Sequence, residues 1–287
     1  MLLSGTARVA GIMGRPVGHS LSPRLHGFWF EQHGIDGTYV PLPVEPEDVE
    51  AAFATLPRLG FRGWNVTIPH KEAAFRLVHA HDDAALRMGA VNTVMVQEDG
   101  HLLGANTDGT GFRKSLEEVA PSWRHGGRPA TVLGAGGAAR AVLVALQDCG
   151  VRHFRLVNRT KETAERLIEG LQLRATAEIE YVAWSAAETA LMAASLLVNT
   201  TSLGMKGQAE LELDLGRLPD DACVVDTVYV PLETGLLRRA RARGLATVDG
   251  LGMLLHQAVP GFAWWGGRTP EVTPALRSCL LEALAAR

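Results

Sequence analysis

Residues 131–140 read Thr-Val-Leu-Gly-Ala-Gly-Gly-Ala-Ala-Arg, a GxGxxA turn between a short apolar run and an alanine-rich segment. No other stretch restricts the fold as much. Glycines at this spacing between a strand and a helix mark the first crossover of a βαβ unit, where the helix N-terminus presents unpaired N–H groups to an anion. Gly134 suits the tight turn, Gly136 lets a pyrophosphate approach the backbone, and Ala139 lets the helix pack closely on the strand. Ala135, Gly137 and Ala138 complete a cradle with no bulky side chain.

The segments around this turn alternate between two periods. Strand candidates are 130–133, 154–158, 179–182, 196–199, 223–226 and 245–248, separated by helical patterns at 138–148, 160–171 and 234–243. Such a βαβα series implies a doubly wound, mostly parallel sheet. With 287 residues, 47% of them hydrophobic, the chain has material for two cores, and the segment before residue 108 reads as a second α/β domain. There, apolar 7–13 is broken by Gly14, Pro16 and Gly18. A helix follows from Pro23 to about His33, with Ser22 as its expected N-cap and Gly34 as its stop. An extended run at 38–44, a helix at 46–56 and a strand at 61–68 come next, and the runs 91–96 and 101–106 flank Glu98-Asp99-Gly100 as a hairpin. Asp108-Gly109 opens a helix to about Val119, and 120–128 is a turn cluster. Helical patterns at 253–265 and 274–286 end the chain.

Two groups of residues carry chemistry. At the end of the second strand of the βαβ unit, an NAD-binding chain needs a carboxylate to accept from the ribose hydroxyls; here stands Asn158-Arg159-Thr160. A guanidinium pairs instead with a 2′-phosphate, so the expected cofactor is NADP. In the first domain, Ser20/Ser22, Asn65/Thr67/Lys71, Asn92/Thr93 and Asn106/Thr107/Asp108 are each expected at the carboxyl end of a strand. Hydroxyls, amides, one ammonium and one carboxylate suit a small polyhydroxylated acid.

Several blocks in order resemble the shikimate dehydrogenase family: Gly18-His19-Ser20-Leu21-Ser22-Pro23, Asn65-Val66-Thr67-Ile68-Pro69-His70-Lys71, Gly89-Ala90-Val91-Asn92-Thr93, Asn106-Thr107-Asp108-Gly109, the glycine turn, Asn158-Arg159-Thr160, Asn199-Thr200-Thr201-Ser202 and Asp249 to Gln257. The resemblance implies two domains, an N-terminal α/β substrate-binding and catalytic domain (1–107 with 250–287) and a doubly wound Rossmann dinucleotide-binding domain (108–249). It implies reversible reduction of 3-dehydroshikimate to shikimate with NADPH, a step of aromatic amino acid biosynthesis. Lys71 and Asp108 would be the catalytic pair. Ser20 and Ser22 would hold the carboxylate, with Asn65, Thr67, Asn92, Asp108 and Gln257 on ring hydroxyls. Tyr229 and Gly250 would line the cleft, Gly250 on the cofactor side. The chain departs from the family at Thr163, where NADP-binding members often carry a second basic residue; Lys161 is the candidate substitute.

Rival readings are a quinate or dual quinate/shikimate dehydrogenase, a non-catalytic NADP-binding regulator, and a glutamyl-tRNA-reductase-like module. The regulator would be expected to lose Lys71 or Asp108, and the reductase would need a cysteine early in the chain, whereas the first here is Cys149. A net charge of −3 gives no nucleic-acid footprint. Three scattered cysteines, Cys149, Cys223 and Cys279, argue against a disulfide framework, and His79-Ala80-His81 reads as a solvated helix end without a third metal ligand. His19, His26 and His70 are expected to pack or cap. No run approaches a spanning helix and the first segment has no cleavage signature, so the expected setting is the cytoplasm. The expected partner is the small-molecule substrate, without nucleic acid or membrane, and a homodimer is the assembly left open.

Overall fold

A computed structural model describes residues 2–124 and 126–286. His125, inside the expected turn cluster, and the two terminal residues lie outside the described residues. The chain divides into two compact units, one running to Thr107 and resuming at Gln257, the other Asp108–His256.

The first unit is built on a six-stranded sheet. Its elements are β1 (Arg8–Gly14), α1 (Ser22–Gln32), β2 (Gly37–Pro43), α2 (Val49–Thr55), β3 (Phe61–Val66), α3 (Lys71–Leu77), β4 (Ala80–His81), α4 (Asp83–Met88), β5 (Thr93–Val96) and β6 (Leu102–Ala105). Strand order is β2-β1-β3-β5-β6-β4. β1 pairs in parallel with β2 and β3, whereas β5 is antiparallel to both β3 and β6. One face packs Met13, Trp64, Val66 and Val94 against Val49 and Phe53 of α2 and Ala74 of α3.

Three features differ from expectation. The N-cap position of α1 falls on Leu21, and Ser22 is the buried first helical residue, because the Ser20 Oγ accepts the Ser22 N–H at 3.1 Å and does the capping from two residues upstream. His79 to His81 is not a helix end: Ala80–His81 forms the short edge strand, paired with β6. There the His79 Nδ1 accepts from the Leu102 N–H at 3.0 Å and the His81 Nε2 donates to the Phe75 carbonyl at 2.7 Å. Asn92 and Thr93 lie at the start of their strand rather than its end. Since β5 runs antiparallel, that start is on the same sheet edge as the end of β3, with Asn65 opposite Thr93 and Thr93 opposite Ala105.

The second unit contains α5 (Asp108–Val119), β7 (Ala130–Leu133), α6 (Gly137–Asp148), β8 (His153–Asn158), α7 (Lys161–Gly170), β9 (Glu178–Ala183), β10 (Leu196–Asn199), β11 (Cys223–Asp226), α8 (Gly235–Ala242) and β12 (Ala246–Val248). Strand order is β12-β11-β10-β7-β8-β9, and every neighbouring pair is parallel. Counted from β7 this is the 3-2-1-4-5-6 order of the dinucleotide-binding fold, with its switch point between β7 and β10. Successive residues face opposite layers: Val132, Leu156, Val198 and Val225 pack with α5, α6 and α7, while Leu133, Val157, Leu197 and Val224 pack with α8. α9 (Gly250–Gly266) begins in the second unit and ends in the first, and α10 (Pro274–Ala285) closes the first. Among the described residues no helix is long and apolar enough to cross a membrane.

The remaining face of the first sheet is covered by aromatic side chains of α1, β2 and α9. Trp265 of α9 donates its indole N–H to the Val94 carbonyl at 3.1 Å, directly over Gly63. A Cβ at Gly63 would lie 2.1 Å from that carbonyl oxygen and 2.2 Å from the Trp265 Nε1, and Gly63 has φ +152°. Gly63→Ala is therefore expected to destabilise the fold by roughly 2–3 kcal/mol or more, through overpacking and backbone strain. Denaturant unfolding checks this; a midpoint within error of wild type would mean that α9 does not depend on this seat.

Candidate active site

The carboxyl edge of the first sheet is a mesh of neutral polar groups, and its hub is Asn92. The Asn92 Oδ1 accepts from the Thr107 N–H and the Thr93 hydroxyl, both at 2.9 Å, while the Asn92 Nδ2 donates to the Thr107 Oγ1 at 3.1 Å. Asn65, at the end of β3, donates to the Asn92 carbonyl at 3.1 Å and to the Thr93 Oγ1 at 3.0 Å, and its Oδ1 accepts the Tyr39 hydroxyl at 2.6 Å. Both Asn65 donors are thus spent within the protein, leaving an Oδ1 lone pair, so what Asn65 has to offer a ligand is an acceptor for a hydroxyl. Asn106 donates to the Ala90 carbonyl at 2.9 Å. The structure brings Asn65, Asn92, Thr93, Asn106 and Thr107 together as read from sequence; all five are buried.

Around this mesh stand the more exposed candidates. Thr67 lies one residue past β3, pinned by its N–H to the Met13 carbonyl, and Gly14 runs so close that a Cβ there would sit 2.3 Å from the Thr67 Cγ2. Lys71 is the first residue of α3, and its carbonyl accepts the Val91 N–H at 3.0 Å, which ties the base of this side chain to the entry of β5. His70 stands at the N-cap position before it and packs inward, with Nε2 donating to the Val44 carbonyl at 2.8 Å. Ser20 lies in the β1–α1 connection, and Ser22, itself buried, is the first residue of α1; the two are bonded to one another as described. Asp108 is one peptide bond beyond Thr107 and opens α5.

Two residues that support the mesh were not singled out from sequence. Tyr39 is a buried position of β2 and reads as ordinary core; its ring stacks on His26 at 4.1 Å. Asp82 is the N-cap residue of α4. Its Oδ1 accepts from the Ala85 and Asn106 N–H groups at 2.6 and 3.2 Å, joining the N-cap of α4 to the mesh, and burial holds this carboxyl above its ordinary range. His26 packs, as expected, among Tyr39, Trp29, Phe262 and Trp265, with neither ring nitrogen at hydrogen-bond geometry to a partner. Its burial drives the pKa down to about 3 against the opposing pull of the Asn65 side chain. It is neutral at physiological pH and is not a proton donor.

In the second unit the glycine turn has the shape that a phosphate requires. Gly134 has φ +98°, and a Cβ there would meet the Thr201 Cγ2 at 2.9 Å and the Thr200 Oγ1 at 3.0 Å, so the turn lies flush on the segment following β10. Cβ atoms at Gly136 or Gly137 would meet nothing within 4 Å. Gly136 is the N-cap of α6 and has no side chain to satisfy the first-turn N–H groups, and no acidic residue lies in that turn. Open, uncapped and free of carboxylates, this helix end fits the pyrophosphate of a dinucleotide. Ala135 and Ala138 flank it, and Ala139 is fully buried. Asn158 ends β8 and donates to the Thr160 carbonyl at 2.8 Å, which leaves Arg159 exposed between them.

The segments after β10 and β11 are held by Asp226, a further residue whose part was not read from sequence. Its carboxylate accepts from the Asn199 Nδ2 at 2.9 Å, the Val228 N–H at 3.0 Å and the Thr234 hydroxyl at 2.6 Å. Burial pushes its pKa up while those three donors pull it down. Tyr229 follows on this segment, half-buried. Gly250 packs against the same segment, where a Cβ would be 2.3 Å from the Thr227 carbonyl oxygen; that contact alone demands glycine. Gln257, on α9, is half-buried and belongs to the first unit. Among the described residues no group of three or more His, Cys, Asp or Glu side chains is placed to hold a metal.

Residues 12–94 match the model of the shikimate dehydrogenase substrate binding domain. Over 280 residues the chain is 57% identical to the shikimate dehydrogenase (NADP(+)) of Rhodospirillum rubrum, an alignment covering 98% of this chain and 99% of that protein. Among solved structures, quinate dehydrogenase from Corynebacterium glutamicum in complex with NAD is similar with a TM-score of 0.90 at 31% identity, covering 96% of this chain and 99% of that one. Shikimate 5-dehydrogenase from Thermus thermophilus, in complex with NADP(H) and shikimate, is similar with a TM-score of 0.81 at 36% identity, covering 97% and 99%. Near-complete coverage at this identity joins the polar sheet edge and the glycine turn in one ancestry: the chain belongs to the shikimate dehydrogenase family.

Proposed function

We propose that this chain catalyses the reversible reduction of 3-dehydroshikimate to shikimate with NADPH, in the aromatic amino acid branch of biosynthesis. The observation that carries it is the edge formed by Asn65, Asn92, Thr93, Asn106 and Thr107, an array of neutral acceptors and donors beside Lys71, in a chain 57% identical to an NADP-dependent shikimate dehydrogenase. Solved relatives with shikimate and with quinate functions share the fold, so the fold alone does not choose the substrate. The curated relative's name and Ser20 with Ser22 favour shikimate, and absorbance of the nicotinamide with shikimate and quinate in turn is the direct assay. Faster turnover of quinate at equal concentration would reverse this choice.

The roles follow from chemistry. Bound NADPH supplies a hydride to the ketone carbon. Negative charge then grows on the ketone oxygen, and the Lys71 ammonium stabilises it and delivers the proton. Asp108 orients that ammonium and accepts from a neighbouring ring hydroxyl. Ser20 and Ser22 donate to the carboxylate, and Asn65, Thr67, Asn92 and Gln257 hold ring hydroxyls, Asn65 as an acceptor. Gly134, Ala135, Gly136, Gly137 and Ala138 cradle the pyrophosphate, and Asn158, Arg159 and Thr160 meet the adenosine end. Tyr229 is assigned to the substrate and Gly250 to the cofactor. Residues to 107 with 250–287 supply most of the substrate site and 108–249 most of the NADP site, with Asp108 and Gly250 as the exceptions at the two boundaries and Tyr229 as one within 108–249. The three cysteines are free thiols, which is compatible with a reducing compartment.

Lys71→Met should lower kcat roughly a hundred- to ten-thousand-fold while moving the KM for shikimate far less, since a general acid acts in the transition state. A large rise in KM at constant kcat would reduce Lys71 to a binding group. Asp108→Asn should harm both constants.

Replacing Ser20 and Ser22 together by Ala should raise chiefly the KM for shikimate, roughly ten-fold or more per hydroxyl, because the carboxylate keeps its charge throughout the reaction. Steady-state kinetics in both directions read this. Should KM stay fixed, the carboxylate is held elsewhere.

Arg159→Asp removes the guanidinium fork, repels the 2′-phosphate and restores an acceptor for the ribose, so kcat/KM with NAD should come to exceed that with NADP. Retained NADP preference in the variant would show that the end of β8 does not read the cofactor.

A further inference from the structure

The 2′-phosphate of NADP carries about −1.5 to −2 charges, which one guanidinium leaves partly uncompensated. The question is which other cation stands at the end of β8. Thr163, one turn into α7, is uncharged. Arg155 lies within β8 with its Nη1 on the Ala190 carbonyl at 3.0 Å, and Arg174 is paired with Glu165 at 2.7 Å. Arg140 is directed to the far end of α7, where a Cβ at Gly170 would lie 3.7 Å from its Nη1. None of these three is placed at the start of the helix.

Arg166 is. It is the sixth residue of α7, but helical side chains lean toward the N-terminus, and its guanidinium is laid back over the first turn. The Nε donates to the Glu162 carbonyl and the Nη2 to the Thr163 Oγ1, both at 3.4 Å, and among the described residues no carboxylate forms an ion pair with it. The two hydrogen bonds are long and share one guanidinium edge, so the remaining N–H groups stay available. A positive group is therefore held where the positive end of the helix already favours an anion, on the turn that follows Arg159. The Thr163 hydroxyl serves as its rest rather than as a ligand in its own right.

We infer that Arg166, folded back across Thr163, is a second cofactor-specificity residue of this chain, acting with Arg159 on the 2′-phosphate of NADP. The inference rests on the reading of Arg159 as the 2′-phosphate partner. Lys161, also exposed at this helix start, is the competing second cation. Arg166 has the better geometry, since its planar fork can present two parallel donors to phosphate oxygens and its side chain rests on the first turn of α7 against Glu162 and Thr163.

The test compares Arg166→Ala, Lys161→Ala and Arg159→Ala in kcat/KM with NADP and with NAD, together with competitive inhibition by 2′-phosphorylated and unphosphorylated adenosine nucleotides. Arg166 is exposed, so its removal leaves the core intact. Arg166→Ala is expected to lower kcat/KM for NADP roughly three- to ten-fold, leave NAD within about two-fold, and weaken inhibition only by the 2′-phosphorylated nucleotide. Arg166→Lys should recover part of the loss. If Arg166→Ala is silent while Arg159→Ala loses NADP, the inference falls and the role of Arg159 stands. Equal losses with NADP and NAD would also overturn it, because a structural effect does not discriminate the phosphate. If neither arginine changes the NADP to NAD ratio, the reading of the β8 end falls as well.

Discussion

Asn92 satisfies its neighbours and is satisfied by them, and the polar edge of the first unit depends on that exchange. A buried amide without partners costs about 1–3 kcal/mol, so a cluster of five such residues is stable only if each donor finds an acceptor inside it. Asn92 achieves this by bonding the backbone N–H and the side chain of Thr107 and by accepting from Thr93, while its own carbonyl accepts a hydrogen bond from Asn65. The consequence reaches beyond stability. With Asn65 oriented by Asn92, Thr93 and Tyr39, the free valences of the edge are set before any ligand arrives, and orientation need not be acquired during binding.

The second unit solves the same problem with a charge. Asp226 sits fully buried at the end of β11, and its three neutral donors come from β10, from the segment after β11 and from the N-cap of α8. Asn199 passes the constraint on, since its Oδ1 accepts from both the N–H and the hydroxyl of Thr201, and Thr201 lies against Gly134. The glycine turn is thus backed by a chain of hydrogen bonds that begins two strands away. Its conformation is imposed by packing as much as by glycine's own freedom.

Much of this architecture was legible in the sequence because it is written in period. Strands β7 to β12 alternate between two apolar layers, and the GxGxxA turn falls between one such strand and its helix. What escaped was shorter than the pattern or tertiary in origin. α4 spans six residues and β4 two, too few to show a repeat. The direction of β5 is decided by its partners, so Asn92 and Thr93 were placed at the wrong end of the strand though on the correct edge of the sheet. Ser22 has the composition of an N-cap, but Ser20 takes its N–H, a competition that local propensity does not resolve. Tyr39, Asp82 and Asp226 were missed because a tyrosine in an alternating strand and an acid at an element's end each have an ordinary explanation, and only the assembled hydrogen bonds show what they hold in place.

On the proposed function the two units recognise by different physics, and the difference suits a hydroxylated acid in the first and a dinucleotide in the second. Hydroxyls are read by neutral groups of fixed direction, where a misplaced donor is costly and a surplus charge would favour the wrong partner. The edge around Asn92 accordingly keeps its amides and threonines buried, with Lys71 only at its margin. Phosphates are read by charge, which acts over a longer range and tolerates looser geometry, and the exposure of Arg159 and Arg166 on α7 and its approach fits the part proposed for them. Exposure also makes that part of the molecule the easier one to alter. If the proposed roles hold, a change in cofactor preference needs only surface cations, whereas a change in which ring hydroxyl is accepted disturbs hydrogen bonds that run from Tyr39 through Asn65 and Asn92 to Thr107.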